Sequence, residues 1–525
     1  MVLELEHLHE ACGVFGIYVE PKTSDNQPDI DVAQITSLGL SGLQHRGQES
    51  AGMVTSGTDG KLRSHKGFGL VDQVFSPATL SGLTGNMAIG HNRYATAGGS
   101  TLSCSQPFIL KTLTGNYIAV AHNGQLTNHD ALSQRIMQHG VGLSSDSDSE
   151  IIAQILCSPP AGPHSEHVHG IDFASRLKSF MQMAATAYSL VALCDTSVYA
   201  VRDPFGNRPL SVGRLRGVER NAWVVASETC CFSAIGAEVV REVLPGEIVR
   251  LDCDGLTSVL TVPRVNRMPD QTALRHTSRS SRPPSRQATL SAASSTQDLS
   301  EIPAAFCIFE YVYFSQPESI LEGQMVHSVR QRCGARLARE APIEADVVST
   351  VPTSATAAAI GFAHAMGIGY NEVLSKNNYV GRTFIKPDDR MRKLGVLKKF
   401  APITENIKGK RIVIVDDSIV RGTTMGPIID LLRQAGALEV HIRIASPPLK
   451  YPCYMGINIP TREELIANRM AVEDMAAHFG ADSLAYLSLD GLKSAVLEKA
   501  VSADPQGPAH CTACLSGDYP VELDW

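Results

Sequence analysis

Apolar positions in this chain fall into short runs, and the sharpest lies late in the sequence. Ile412, Val413, Ile414 and Val415 are contiguous and β-branched, which predicts a buried strand. Asp416 and Asp417 end that run, a polar turn Ser418–Thr424 containing Gly422 follows, and Met425–Ala435 predicts a helix. The same alternation extends to both sides. Val326–Leu337 and Ala357–Ala365 predict helices, and Asp346–Pro352 and Val440–Ile444 predict strands. A turn, Thr353-Ser354-Ala355-Thr356, joins one strand to the next helix. Alternating strands and helices predict a parallel α/β sheet, with Ala305–Phe314 as its aromatic opening strand.

The first half has a different rhythm. Gly13–Ile17 and Tyr117–Ala121 predict strands, the second followed by a hairpin turn at Ala121–Leu126. Leu43–Gly52 and Gly90–Gly98 read as polar, glycine-bounded loops. Ser147 or Asp148 is placed to cap a helix over Ile151–Leu156, with Glu150 in its first turn. Between the halves, residues 264–300 lose all apolar periodicity and are rich in Ser, Thr, Gln, Pro and Arg, which predicts a disordered basic insertion. It reads as a tolerated insertion. Arg275/Ser278, Arg282/Ser285 and Arg286/Thr289 also have the spacing of arginine-directed phosphorylation sites.

The length of 525 residues accommodates two or three domains. A net charge of −7 gives no general attraction to nucleic acid, and no apolar stretch is long enough to span a bilayer. The N-terminus lacks the basic start and apolar core of a secretory signal, so a cytosolic location is expected and the twelve cysteines are not expected to be disulfides.

Two carboxylates beside a glycine-containing loop invite chemistry. Ionised carboxylates only accept hydrogen bonds, so Asp416 and Asp417 suit a divalent cation or the vicinal hydroxyls of a sugar. A loop at a helix N-terminus suits a phosphate. The stretch RIVIVDDSIVRGTT, Arg411–Thr424, resembles the signature of type I phosphoribosyltransferases. The resemblance implies that the acids hold the ribose hydroxyls of phosphoribosyl pyrophosphate. Ser418, Arg421, Gly422, Thr423 and Thr424 then hold its 5-phosphate. It also implies that Ser354, Asp416 and Asp417 form a magnesium site. Lys376–Ile385, including Arg382, resembles the flexible loop that closes over the substrate and excludes water. Relatives usually carry an acid where this chain has Thr353, which weakens the case for metal binding there.

Cys12-Gly13-Val14-Phe15-Gly16, Gln44-His45-Arg46-Gly47-Gln48, Gly90–Gly98, His122-Asn123-Gly124 and Ala200–Leu210 occur in the order of glutamine amidotransferase domains of the N-terminal-nucleophile class, which they resemble. That resemblance implies an αββα sandwich over residues 12–252. Cys12 is the nucleophile, its own α-amino group the base, and Asn123 with Gly124 the oxyanion hole. Arg93 grips the glutamine α-carboxylate and Asp148 its α-ammonium. A free α-amine with a pKa of about 7.7–8.0 is a usable base, whereas an internal amide is not, so residues 1–11 are expected to be a propeptide. Gln125 stands where many relatives have Glu, removing a charge but keeping the shape.

Cys307, Cys453, Cys511 and Cys514 remain. A Cys-x-x-Cys pair leaves zinc, redox chemistry and chance open, and spacing does not choose between zinc and iron–sulfur. Taken whole, residues 12–525 resemble the glutamine-dependent amidophosphoribosyltransferases, apart from the basic insertion. Similar cysteine contexts in that family imply a 4Fe–4S cluster pinning the tail, residues 506–525, to a phosphoribosyltransferase domain over 303–505. The family implies conversion of glutamine, phosphoribosyl pyrophosphate and water to 5-phosphoribosylamine, glutamate and pyrophosphate, with ammonia channelled between the sites. It further implies purine-nucleotide feedback inhibition and a homo-oligomer, usually a tetramer. A glucosamine-phosphate synthase would lack the Val415–Thr424 motif, and a salvage phosphoribosyltransferase would not need Cys12. A non-catalytic regulatory paralogue that assembles with active subunits is the alternative from another class.

Overall fold

The computed structural model describes residues 12–23, 29–94, 101–112, 115–158, 172–264, 302–377 and 398–523, apart from 458, 460, 503 and 505. The expected propeptide, Arg382 and nearly all of the closing loop, and the insertion beyond Arg264 lie outside these residues.

In the first domain, strand Gly13–Val19 buries every residue. Phe15, Ile17 and Val19 pack under helix Val32–Gly42, while Val14 and Tyr18 face a second sheet. Burial on both faces is why the strand reads as an unbroken apolar run rather than an alternating one. It lies in a seven-stranded sheet ordered Ala237–Glu242, Ser211–Leu215, Ala222–Ala226, Gly13–Val19, Met87–Arg93, Ser50–Ser56, Leu62–Phe68. A six-stranded sheet, Gly255–Thr261, Glu247–Asp252, Ser197–Arg202, Tyr188–Cys194, Tyr117–Gly124, Phe108–Lys111, stacks on it. Helices Asp148–Cys157 and Phe173–Met183 cover the outer face of this second sheet. The layers are therefore helix, sheet, sheet, helix, as expected.

Three local expectations are corrected. Asn123 and Gly124 end strand Tyr117–Gly124 and pair with Ser189 and Tyr188, so they form no hairpin turn. Gly90–Arg93 is strand, since Met87–Arg93 pairs on both sides. Ala305–Phe314 is not one strand: Phe306–Cys307 is extended, and Glu310–Phe314 then winds into a short helical turn that buries Glu310 between the domains.

The second domain carries a four-stranded parallel sheet, Val347–Thr350, Arg411–Asp416, Glu439–Ile444, Ser483–Tyr486. Ile412 and Ile414 enter the core on one face, and Val413 and Val415 enter the core on the other. Behind it, helices Val326–Glu340 and Thr356–Met366 cross with backbones in contact. A Cβ on Gly334 would stand 1.8 Å from the Ala358 carbonyl oxygen, and one on Gly361 2.0 Å from that of Gln331.

The loop Asp203–Pro209 receives the second domain. Asp203 accepts from the Phe205 and Asn207 amides at 2.9 and 3.0 Å, and Asn207 Nδ2 donates to the Ala305 carbonyl at 2.7 Å. Arg264, assigned from sequence to the insertion, is instead ordered: its guanidinium bonds Asp504 at 2.6 and 3.0 Å and the Ile302 carbonyl at 2.7 Å. No described helix is long and apolar enough to cross a membrane.

Candidate functional site

Cys12 sits half-buried at the head of strand Gly13–Val19, and Arg46 Nε donates to its carbonyl at 3.2 Å. Its thiol faces the Tyr94 carbonyl at 3.9 Å. Burial pushes the thiol pKa up. The Tyr94 carbonyl and the Arg93 and Arg46 cations pull it back, while Asp148 adds to the rise. Arg93, Asp148 and Cys12 therefore share one electrostatic neighbourhood although they come from three separate elements.

Asp148 opens helix Asp148–Cys157 and accepts from the Leu126 amide at 3.2 Å. Ser147 occupies the N-cap position without a side-chain cap bond, and Glu150 instead accepts from Ser144 and Ser145. Burial alone would raise Asp148, but His122, 3.6 Å away, and the Leu126 amide hold its pKa below the usual carboxylate value. Asp148 is thus an anion at neutral pH.

Asn123 Nδ2 donates to Ser227 Oγ at 3.3 Å, and the same hydroxyl accepts from the Val14 amide at 3.0 Å. Ser227 so ties Asn123 to the strand that carries Cys12. Gly124 has φ +139°, and a side chain there would meet the Ala187 carbonyl at 2.0 Å. Only glycine fits, and its amide lies beside Asn123.

At the second site, Asp416 ends strand Arg411–Asp416 and accepts from Ser354 Oγ, in the turn after the neighbouring strand. Asp417 is buried. Its Oδ1 accepts from Ser418 Oγ at 2.7 Å, and its Oδ2 has no partner among the described residues. Burial raises the Asp417 carboxyl, against the pull of the Ser418 hydroxyl and the Arg330 guanidinium. An unpartnered buried carboxylate oxygen beside a second carboxylate fits a cation or sugar hydroxyls. Gly422, φ +76°, turns the loop, Thr423 is half-buried, and Thr424 stands at the N-cap of helix Met425–Gln434 without a side-chain cap bond. Arg421 pairs with Glu464 at 2.9 Å. Acids and loop thus meet at the carboxyl end of an inner parallel strand.

The four selected cysteines converge. Cys307 and Cys511 are register partners in a two-strand parallel pair, and the Cys514 carbonyl accepts from the Lys450 and Tyr451 amides, two residues before Cys453. Burial raises all four thiols. Neighbouring thiols raise Cys307, Cys511 and Cys514 further, while the nearby Arg208 cation lowers Cys307, Cys453 and Cys511. Among the described residues, no three of these sulfurs lie within 4.8 Å of one another. Four thiols from separate segments suit zinc or an iron–sulfur cluster. The other cysteines are also free thiols, and Cys253 is exposed.

Several residues here have no local sequence signal for their role. Arg46 contacts the Cys12 carbonyl and binds two acids, Glu228 and, at 2.8 and 3.0 Å, Glu310 of the second domain. Arg208 donates to Glu310 at 2.7 Å. Ser315 Oγ also donates to Glu310, and the Ser315 carbonyl accepts from Arg330, a cation that acts on Asp417. The His45, Arg46 and Asn207-Arg208 motifs mark these positions without saying what they touch.

A glutamine amidotransferase domain model matches residues 91–234, and a phosphoribosyl transferase domain model matches residues 335–446. The chain is 48% identical to an amidophosphoribosyltransferase of Rattus norvegicus, with all of both chains covered. It superposes with a TM-score of 0.80 on a solved allosteric regulatory enzyme of purine biosynthesis, at 39% identity, covering 98% of this chain and 97% of that one. A Bacillus subtilis glutamine phosphoribosylpyrophosphate amidotransferase, solved with ADP and GMP, gives a TM-score of 0.79 at 38% identity, covering 98% of each.

Proposed function

The chain belongs to the amidophosphoribosyltransferase family, and from that premise we propose how its residues divide the reaction. The enzyme converts glutamine, water and phosphoribosyl pyrophosphate to 5-phosphoribosylamine, glutamate and pyrophosphate, the first committed step of purine synthesis. Cys12, freed of residues 1–11, attacks the glutamine carboxamide carbon, and its α-amine takes up the thiol proton and passes it to the departing ammonia. The Asn123 side chain and Gly124 amide receive the tetrahedral oxygen. Water then releases glutamate from the thioester. Arg93 and Asp148 hold the two ends of the amino acid.

Ammonia travels inside the docked domains to the ribose C1, from which pyrophosphate leaves. Asp416 and Asp417 hold the ribose hydroxyls, and residues 418 and 421–424 hold the 5-phosphate. Ser354, Asp416 and Asp417 would hold magnesium, whose charge offsets that of the pyrophosphate; the unpartnered Asp417 oxygen supports this. Arg382 belongs to the loop that closes over the site. Cys307, Cys453, Cys511 and Cys514 would hold a 4Fe–4S cluster, tying residues 506–525 to the domain at 303–505. Residues 12–252 form the glutaminase unit and 264–300 an insertion. The enzyme is a cytosolic homotetramer inhibited by purine nucleotides; the ADP and GMP bound by the Bacillus subtilis relative support the last point.

The observation that carries this reading is one chain holding both a thiol beside Arg93 and Asp148 and an acid pair closing a parallel strand. The test is glutamine-dependent pyrophosphate release by protein made without oxygen, with its N-terminus sequenced. Turnover with Cys12 first in the chain supports the assignment. No turnover from chains with a free Cys12 and a loaded cluster would overturn it in favour of a regulatory subunit. Asp416→Asn and Asp417→Asn should each lower kcat/KM for phosphoribosyl pyrophosphate by about 10–100-fold, the worth of a charged hydrogen bond. Titrating phosphoribosyl pyrophosphate at saturating ammonium checks this.

A further inference from the structure

We propose that Gly456, on the second domain, is a positioning residue for the oxyanion site of the first. A methyl group built on Gly456 would stand 2.8 Å from both the Cα and the carbonyl carbon of Gly124, and 2.9 Å from the Gln125 nitrogen. These are backbone atoms, so no flexible side chain can yield. Gly124 is crowded by its own domain too: its pro-side-chain direction points at the Ala187 carbonyl, and Gln125 and Ala187 exchange backbone hydrogen bonds at 2.9 and 3.1 Å. The Gly124–Gln125 backbone, which follows directly on the oxyanion amide, is therefore hemmed in by Ala187 of its own domain and Gly456 of the other.

The segment that delivers Gly456 is held at both ends. Pro452 accepts from the Tyr519 hydroxyl at 2.7 Å, the Met455 amide donates to Cys453 Sγ at 3.3 Å, and Ile457 is buried in the second domain's core. Gly456 itself has φ +90°, a conformation glycine adopts without strain. The glutamine site is thus finished by the domain that consumes its ammonia, and its competence depends on docking. This rests on reading Asn123 and Gly124 as the oxyanion site.

The test is Gly456→Ala in the full-length holoenzyme, assayed with glutamine and, separately, with ammonium. Displacing one oxyanion donor should cut kcat with glutamine by about 10–100-fold. KM for glutamine should stay within about threefold, because Arg93 and Asp148 are untouched, and the ammonium-dependent rate should not change. Gly480→Ala is the control for backbone strain: φ is +76°, but nothing lies within 4 Å of the added methyl, so both rates should persist. A glutamine kcat within about twofold of wild type overturns the proposal. If Gly456→Ala loses the ammonium rate as well, Tyr519→Phe decides. A selective loss with glutamine of about fivefold, one hydrogen bond's worth, supports the proposal and an unchanged rate overturns it. Asn123→Ala separates the two readings: if it leaves the glutamine rate intact, the oxyanion assignment fails and takes this proposal with it. If it lowers the rate and Gly456→Ala does not, only the role of Gly456 fails.

Discussion

Cys12→Ala is expected to lower glutamine-dependent phosphoribosylamine synthesis by about 10³-fold or more while leaving synthesis from ammonium intact. Ammonia from the first site is the nitrogen donor of the second, so removing the thiol removes the supply and not the consumer. Among the described residues, the groups that act on the Cys12 thiol are Tyr94, Arg93, Asp148 and Arg46, all of the first domain. Burial raises the thiol pKa, so in the proposed attack the thiol hands its proton to the amine. The wild-type glutamine rate should therefore rise with pH through the amine's titration, near about 7.7–8.0, and then level. Parallel assays with both nitrogen donors check the first point, and a pH profile of kcat/KM for glutamine checks the second. Loss of the ammonium rate in Cys12→Ala would show that the thiol also serves the second site.

Glu310→Ala should be the most destabilising single change at the domain boundary, by about 3–5 kcal/mol. Four fully buried charges meet there: Arg46 with Glu228 and Glu310, and Arg208 with Glu310. They balance, two against two. Removing Glu310 leaves a net buried cation, and Arg208 loses its salt bridge while its Nε and Nη1 already lack partners among the described residues. Arg208→Met with Glu310→Met restores the balance and should recover much of the loss, since Arg46 keeps Glu228. Unfolding rates in denaturant for the single and double variants measure this. A single variant no less stable than wild type would mean that water enters the boundary and solvates the charges.

Sequence reading and structure agree where local pattern and tertiary environment coincide. Arg411–Asp416 was legible because a strand buried on both faces has no polar residues to interrupt it. Asn123-Gly124 misled as a hairpin because the pair usually marks a turn; here the glycine serves a crowded strand end against Ala187. Ala305–Phe314 misled because its aromatic run resembles a strand, whereas burying Glu310 between two arginines requires a helical turn. The partners of Arg46 lie 182 and 264 residues away, so no window of sequence could pair them. Arg93, Asp148 and Cys12 belong to separate sequence motifs, and their convergence comes from three elements folding together.

The glycine crossing of helices Val326–Glu340 and Thr356–Met366 has a mechanical meaning. Between most helices a layer of side chains acts as a spring, since rotamers can shift to absorb load. Here Gly334 and Gly361 bring carbonyl against Cα, and that spring is absent. The turn bearing Ser354 leads straight into the second helix and inherits its stiffness. On the opposite side, Asp417–Thr424 is a loop whose Gly422 leans on the Ile466 side-chain tip and the Phe479 ring, and whose Val420 carbonyl accepts from the Ile466 amide at 2.9 Å. The Ser354 jaw of the site thus rests on backbone and the loop jaw on side chains, so compliance toward a bound sugar phosphate would come from side-chain repacking on the loop side.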